Sequence, residues 1–340
     1  MVMPSDNWDL RVLRMTSRAR PVRAMCAAAG ILLSAAVSLL VTACGTAPVI
    51  PSAANQPLSN DAMMLLGKKG MTAEAPIYIR IFKEESDLEV WKQRPDGRFY
   101  HFKSYPICNW SGELGPKLKQ GDKQAPEGFY TVSAEQLNPN SSFHLAFNLG
   151  FPNAFDRSLN RTGDFVMIHG QCRSAGCYAM TDALIEEIYA LGRDAIKSGQ
   201  KSIPVHAFPF RMTDSNMARR GASPWAPFWA TLKQGYDHFE ATRLPADVAV
   251  CERKYVVNVK LPQNKIDPER ACPQLERPVV EPFVSQPGEQ QALNERVVSP
   301  GQKSRMLASN GFGTLVPYSS VSGNGGFPTS SMTGLGFTQK

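Results

Sequence analysis

The chain has 340 residues, enough for one sizeable domain or two small ones. Apolar residues make up 43%, which supports a packed core, while 26 Gly and 26 Pro predict many turns. The formal charge of +7 is partly terminal: residues 1–43 hold five Arg against Asp6 and Asp9, and +7 less +3 leaves +4. So mild a surplus, without any Lys/Arg block, gives no reason to expect nucleic acid as a partner.

The first segment reads as an export signal. Arg11, Arg14, Arg18, Arg20 and Arg23 form a basic flank, and "AMCAAAGILLSAAVSLLVTAC" supplies an apolar stretch with small residues before Cys44. That order describes a secretory signal peptide over residues 1–43. A membrane-spanning anchor over residues 26–43 is the alternative. The end of the stretch, Val41-Thr42-Ala43-Cys44, resembles the bacterial lipobox, which implies lipidation of Cys44 as the mature N-terminus. Gly45, in place of Asp, resembles lipoproteins sorted to the outer membrane. The expected location is the cell envelope, facing the periplasm, with the outer membrane engaged through the lipid anchor.

Residues 44–73 carry Pro48, Pro51 and Pro57 among Ala, Ser and Asn, and read as a flexible tether. Order is expected over 74–262. Ile77, Ile79 and Ile81 alternate with Tyr78 and Arg80, a strand period. "LEVWKQ" and "RFYHFKSY" flank Pro95-Asp96-Gly97 and predict a hairpin. Further strands are expected at Phe129–Val132, in "SSFHLAFNLGF", and in "GDFVMIHG", which delivers His169 at its end. Residues 182–198 make the clearest helix, with Leu184, Ile188 and Leu191 on one face, Thr181 as N-cap and Met180 with Ile185 as a hydrophobic staple. "IPVHAFPF" is a strand, and residues 223–243 are helix-like. Residues 263–340 read as a low-complexity tail, disordered from about 275 onward.

The chemistry concentrates in "MIHGQCRSAGCYAM", residues 167–180. Beyond Cys26 and Cys44 five cysteines remain, Cys108, Cys172, Cys177, Cys251 and Cys272. An odd number in an oxidising compartment leaves one thiol unpaired. Three readings stand side by side. His169, Cys172 and Cys177 offer three zinc ligands, but no second close pair completes the usual four. Cys172 can bridge Cys177 or Cys108, and Cys251 can bridge Cys272; if the last two pairs form, Cys177 is free. Finally, Cys177 and His169 can act as nucleophile and base, with Gly176 allowing a tight turn that aims backbone N–H groups.

"TGDFVMIHG" followed by "SAGCYAM" resembles the catalytic signature of the YkuD-type L,D-transpeptidases, peptidoglycan enzymes with a cysteine nucleophile. "GDKQAPEGFYTV" is similar to the turn and strand these proteins carry upstream. The spacer from His169 to Cys177 is shorter than in the main family, and Ala175 and Ala179 replace the expected His and Arg or Asn. The short form "HG-x-C-x-S-x-G-C-x-A-M-T-D", with "C-x-W-S-G-x-L-G-P-K-L" and "FNLGFPNAFD" before it, looks like the YafK branch.

The resemblance implies an α+β fold, a β-rich YkuD-like catalytic domain with a few helices, followed by the tail. It implies cysteine acyl transfer on peptidoglycan stem peptides at diaminopimelate, without metal or organic cofactor. In that branch the reaction is linked to cutting the diaminopimelate–lipoprotein bond, which makes a peptidoglycan-linked lipoprotein a second partner. Cys177 would be the nucleophile, His169 the general base, Gly176 an oxyanion N–H donor and Ser174 an orienting residue. Arg173, His144 and Asn148 are the candidate substrate contacts. Cross-link formation by the same acyl-enzyme is the alternative outcome. A non-catalytic wall-binding lipoprotein is the rival of another class.

Overall fold

A computed structural model describes residues 52–262 and 266–284. Residues 1–51, where the export signal and lipidated Cys44 were expected, and residues 263–265 and 285–340 lie outside the described residues.

Strand β1 (Ile77–Phe82) is buried at every position. Its alternation therefore sorts side chains between two interiors rather than between core and water. Ile77, Ile79 and Ile81 enter the main core, whereas Tyr78 and Phe82 enter aromatic clusters on the other face. Arg80, 1% exposed, lies on that second face among Phe82, Tyr236 and Phe239 and pairs with Glu240 at 2.7 Å. The sequence period located the strand but gave no hint of the second cover.

That cover includes helix α5 (Ala226–Thr242), which brings Trp229, Leu232 and Tyr236 to the aromatic side. β1 is flanked by β2 (Asp87–Gln93), antiparallel, and β10 (Ser202–Phe208), parallel. With β3 (Phe99–Pro106) and β5 (Gly128–Ser133) they form a five-stranded sheet ordered β3-β2-β1-β10-β5. The expected hairpin closes through Gly97 N–H to Arg94 O.

A second five-stranded sheet holds the residues of interest. Its order is β4 (Asn109–Trp110), β9 (Tyr178–Ala179), β8 (Met167–His169), β7 (His144–Asn148) and β6 (Leu137–Ser141). Leu145, Phe147, Ile168 and Tyr178 belong to the main core. Helix α3 (Asp182–Lys197) packs there with Ile185, Ile188, Tyr189 and Leu191. Thr181 caps it, accepting from Leu184 N, and Met180 and Ile185 are both fully buried, as a staple requires. Gly192 lets this helix approach closely: a Cβ there would stand 2.8 Å from Phe147 and 3.1 Å from Ile203. The architecture is thus mixed α and β, dominated by sheets.

Both flanks of the domain differ from the reading of their composition. Within the expected tether, residues 52–73 contain helix α1 (Asn60–Lys68), capped by Ser59. Leu58, Ala62, Leu66, Met71 and Ala73 join the main core. Buried Lys92 and half-buried Arg193 hold the segment by carbonyls in and just after it: Lys92 Nζ reaches Ala73 O and Ala75 O, and Arg193 reaches Ala54 O and Gln56 O. Its apolar stripe is only one residue wide per turn, which is why Pro and Ser dominated the sequence impression. At the other end, residues 266–284 of the expected tail are fastened to the domain. Cys272 is bonded to Cys251 on the hairpin of β11 (Val248–Cys251) and β12 (Lys254–Val257). Glu252 N, Lys260 N and Phe283 N pair with Arg270 O, Glu276 O and Ala241 O. Isolated backbone bonds of this kind have no hydropathy period.

Candidate active site

Strands β8 and β9 run parallel, with Ile168 opposite Tyr178 and His169 opposite Ala179. Ile168 and Tyr178 face the core, so their neighbours Met167, His169, Cys177 and Ala179 face the other way. His169 ends β8 and Cys177 directly precedes β9, two residues before Ala179, the register partner of His169. Met167 N–H donates to Cys177 Sγ at 3.4 Å, and the thiol reaches Phe165 O at 3.6 Å.

His169 Nδ1 lies 2.7 Å from Gly170 O. A carbonyl can only accept, so Nδ1 carries the proton and Nε2 keeps its lone pair. Phe143, at the tip of the β6–β7 hairpin, packs its ring 4.7 Å from the imidazole. Burial lowers the His169 pKa below its ordinary 6.5, against the Gly170 carbonyl, which raises it. Burial pushes the Cys177 thiol up, while the Met167 N–H and the Lys117 charge pull it partly back. At neutral pH the resting pair is thus imidazole and thiol, both uncharged.

Among the described cysteines Cys177 is the free one. Cys108 and Cys172 are joined, with Cα atoms 5.3 Å apart. That bond removes Cys172 from the His169, Cys172 and Cys177 ligand set considered for zinc. It also fastens both flanks of β9, since Cys108 N donates to Ala179 O and Cys172 N to Met180 O.

The turn before Cys177 is built around Ser174. Its hydroxyl donates to Cys177 O at 2.7 Å and accepts from Gly176 N at 3.3 Å and Cys177 N at 3.2 Å. Ser111 Oγ stands 3.3 Å away and ties the turn to Lys123 O. Gly176 has φ +121°, which a side chain would strain. The Gly176 and Cys177 N–H groups expected to face an oxyanion therefore point at Ser174 in this state. Both bonds are longer than the usual 2.9–3.0 Å or so, hence readily exchanged.

The substrate-contact candidates separate. His144 Nε2 is 2.6 Å from Glu186 on α3. Asn148 uses its side chain to accept from Gly150 N, closing the turn after β7. Arg173 is exposed. Sequence reasoning passed over Lys117, Phe143 and Phe165. Lys117, in the "LGPKL" run, is 4% exposed, pairs with Asp122 and lies against Gly163. A cavity of about 220 Å³ beside it is lined by Leu114, Leu118, Asp122, Gln124 and Trp225, among others. The two phenylalanines lay in strand-like runs, where an aromatic signals packing. Among the described residues no cluster of three or more His, Cys, Asp and Glu could hold a metal ion.

Fold and site together define a mixed, sheet-dominated domain in which one thiol, Cys177, is free among the described cysteines, next in register to the strand that ends in His169. No family model matches the chain. It is, however, 47% identical over 197 residues to the "Putative L,D-transpeptidase YafK" of Escherichia coli K12, a match covering 58% of this chain and 80% of that one. The Escherichia coli O157:H7 protein of the same name gives the same figures. The chain belongs to the L,D-transpeptidase family of YafK. Among solved structures, the helical cell shape determining protein Pgp2 of Campylobacter jejuni aligns with TM-score 0.32 and 17% identity, over 56% of this chain and 80% of that one.

Proposed function

We propose that this protein is a cysteine acyl transferase of the cell envelope that acts on peptidoglycan stem peptides at diaminopimelate and hydrolyses the diaminopimelate–lipoprotein link. One observation supports the reading: Cys177, the free thiol among the described cysteines, directly precedes the strand that pairs with the one ending in His169, in a chain of the YafK family.

His169 Nε2 takes the thiol proton as Cys177 Sγ attacks the carbonyl carbon. As negative charge gathers on the carbonyl oxygen, the Gly176 and Cys177 N–H groups exchange Ser174 Oγ for that oxygen. The tetrahedral intermediate collapses, the C–N bond breaks, and the imidazolium gives its proton to the departing amine. Water, deprotonated by His169, then cleaves the thioester and restores the thiol. An amine in place of water would form a cross-link by the same intermediate. Export through residues 1–43 and lipidation of Cys44 would hold the site on the outer membrane, within reach of the wall.

The test is mass spectrometry of products from two substrates, a tetrapeptide muropeptide and a diaminopimelate-linked lipoprotein peptide, with Cys177→Ala as control. Release of the lipoprotein peptide, lost in the variant, is expected. Loss of terminal D-Ala with new dimers would instead make the protein a cross-linking enzyme. Inertness of the folded, reduced protein towards both substrates would leave a wall-binding role.

A further inference from the structure

Strand β5 is one edge of its five-stranded sheet, so only one side of its backbone is paired by a neighbouring strand. The register shows which groups are left over. Phe129, Thr131 and Ser133 stand opposite His206, Pro204 and Ser202 of β10. Phe129 O accepts from Asn153 Nδ2 at 2.9 Å, and Ser133 N donates to Gln136 Oε1 at 3.0 Å, both on the free side. Backbone groups alternate along an antiparallel strand, so Thr131, midway between these two, also turns its N–H and C=O outward. Pro204 agrees, because a directly bonded pair would need an N–H that proline lacks. Asn153 and Gln136 thus cap the edge at 129 and 133, and among the described residues nothing caps it at Thr131.

The uncapped edge borders a cavity of about 330 Å³, at the small end of the range for ligand sites. Thr131, Gln136, Gly150, Asn153 and Arg157 are among its lining residues. Gln136 is fixed from two sides, since it also donates to Asn148 O at 2.8 Å, and that wall is therefore preformed. Arg157 is exposed, donates to Pro152 O and makes no ion pair among the described residues. The adjacent acid, Asp156, is turned inward onto Arg161. One N–H, one C=O and one unpaired guanidinium together match the carboxyl end of a peptide. Its last N–H bonds Thr131 O, one carboxylate oxygen accepts from Thr131 N–H, and the other meets Arg157. Neither Cys177 nor His169 lines this cavity.

We infer that the free edge of β5 is a docking site for the extended carboxyl end of an L-polypeptide, which adds to the sheet beside Thr131. The L configuration follows from strand addition, because an edge of right-handed twist pairs best with a strand of the same hand. The inference stands apart from the reaction proposed for Cys177 and does not depend on it.

The test titrates the acetylated peptide Thr-Val-Thr-Val, as its free acid, into the full chain carrying Cys177→Ala, which cannot consume it. The acid is expected to bind about tenfold tighter than the same peptide ending in an amide, the weight of a charge-assisted hydrogen bond. Methylating the last peptide nitrogen removes its N–H and leaves the carboxylate, and should also cost about tenfold. Arg157→Gln should abolish the preference for acid over amide while the thermal midpoint holds. Hydrogen exchange should slow at the Thr131 amide when the acid is bound, which places the peptide on this edge. Absence of binding at millimolar acid, equal binding of the amide or the N-methyl peptide, or an unchanged preference in Arg157→Gln would each overturn the site. Unaltered exchange at Thr131, or tighter binding of the all-D peptide, would overturn strand addition as its mode.

Discussion

His169 stands opposite Ala179, two residues beyond Cys177, in a parallel strand pair, and the side chains of His169 and Cys177 are each oriented by backbone. Met167 N–H and Phe165 O hold the thiol, and Gly170 O holds Nδ1. Backbone contacts, rather than a direct ion pair, position the two groups.

The first consequence concerns pH. The His169 pKa lies below 6.5 and that of Cys177 above 9.0, so thiol and imidazole coexist uncharged between them. Alkylation of Cys177 by iodoacetamide should climb with pH through and beyond the ordinary thiol range, because only the thiolate reacts. Turnover should already be on its plateau at pH 7, since the imidazole has lost its extra proton at lower pH. An alkylation shelf at acid pH would reveal a preformed thiolate–imidazolium pair and sink this account.

Ser174 makes a separate test of the turn. Its hydroxyl is the common partner of Gly176 N, Cys177 N and Cys177 O. Ser174→Ala should lower kcat by about tenfold to a hundredfold, in the range of a lost orienting contact near an oxyanion. KM and the rate of thiol alkylation should change little. An equal loss in alkylation would mean that the whole turn has collapsed.

Local elements were more legible in the sequence than the layers that cover them. His169, Cys177 and the α3 cap were legible because they depend on local order: a strand end, a glycine turn and Thr181 before an amphipathic helix. The alternation of Ile77, Ile79 and Ile81 located β1, and residues 223–243 read as helix-like, but nothing local showed that this helix buries Tyr78 and Arg80 from the other side. Phe143, whose ring packs on His169, and Phe165, whose carbonyl meets Cys177, were not legible as site neighbours because both lie in strand-like runs, where an aromatic signals packing. Residues 52–73 misled by composition, since one Leu per turn suffices when two sheets already supply the remaining contacts.

Those N-terminal residues should matter to stability. Leu66 is 1% exposed and joins the main core from α1. Leu66→Ala should cost about 2–5 kcal/mol in a urea titration, the usual loss for a buried leucine with its cavity. A loss under about 0.5 kcal/mol would show that α1 is detachable.

Glu240 supplies a stability prediction with a sign. Burial raises its pKa, but Arg80 and Arg243 overcome this and hold the carboxyl at about 2 against an ordinary 4.5. A depressed carboxyl contributes stability that is complete above 4.5 and is lost as pH falls toward 2. Glu240→Gln should therefore be less stable than wild type by about 2 kcal/mol at pH 7, with the gap narrowing steadily below pH 4 or so. The side chain is one-third exposed, so water screens part of the pair and the figure stays below that of a fully buried bridge. Parallel pH curves for the two proteins would refute the assignment.

The two disulfides separate site from scaffold. The Cys108–Cys172 bridge closes 64 residues of chain and clamps the start of the loop that carries Ser174 and Gly176. Cys251–Cys272 closes 21 residues and ties the chain near 272 to the β11–β12 hairpin. Loop entropy makes each removal cost roughly 2–4 kcal/mol. Their effects on Cys177 should nevertheless diverge. With Cys108 and Cys172 both changed to Ser, β9 keeps its strand partners but loses the clamp on the 170–176 turn. Turnover should fall at least tenfold, and limited proteolysis should find a new cut in that turn. With Cys251 and Cys272 both changed to Ser, thermal stability should fall while turnover per folded molecule and Cys177 alkylation hold. Equal loss of turnover in both double variants would show that the first bridge acts through global stability alone, and that the turn before Cys177 is held by Ser174 without it.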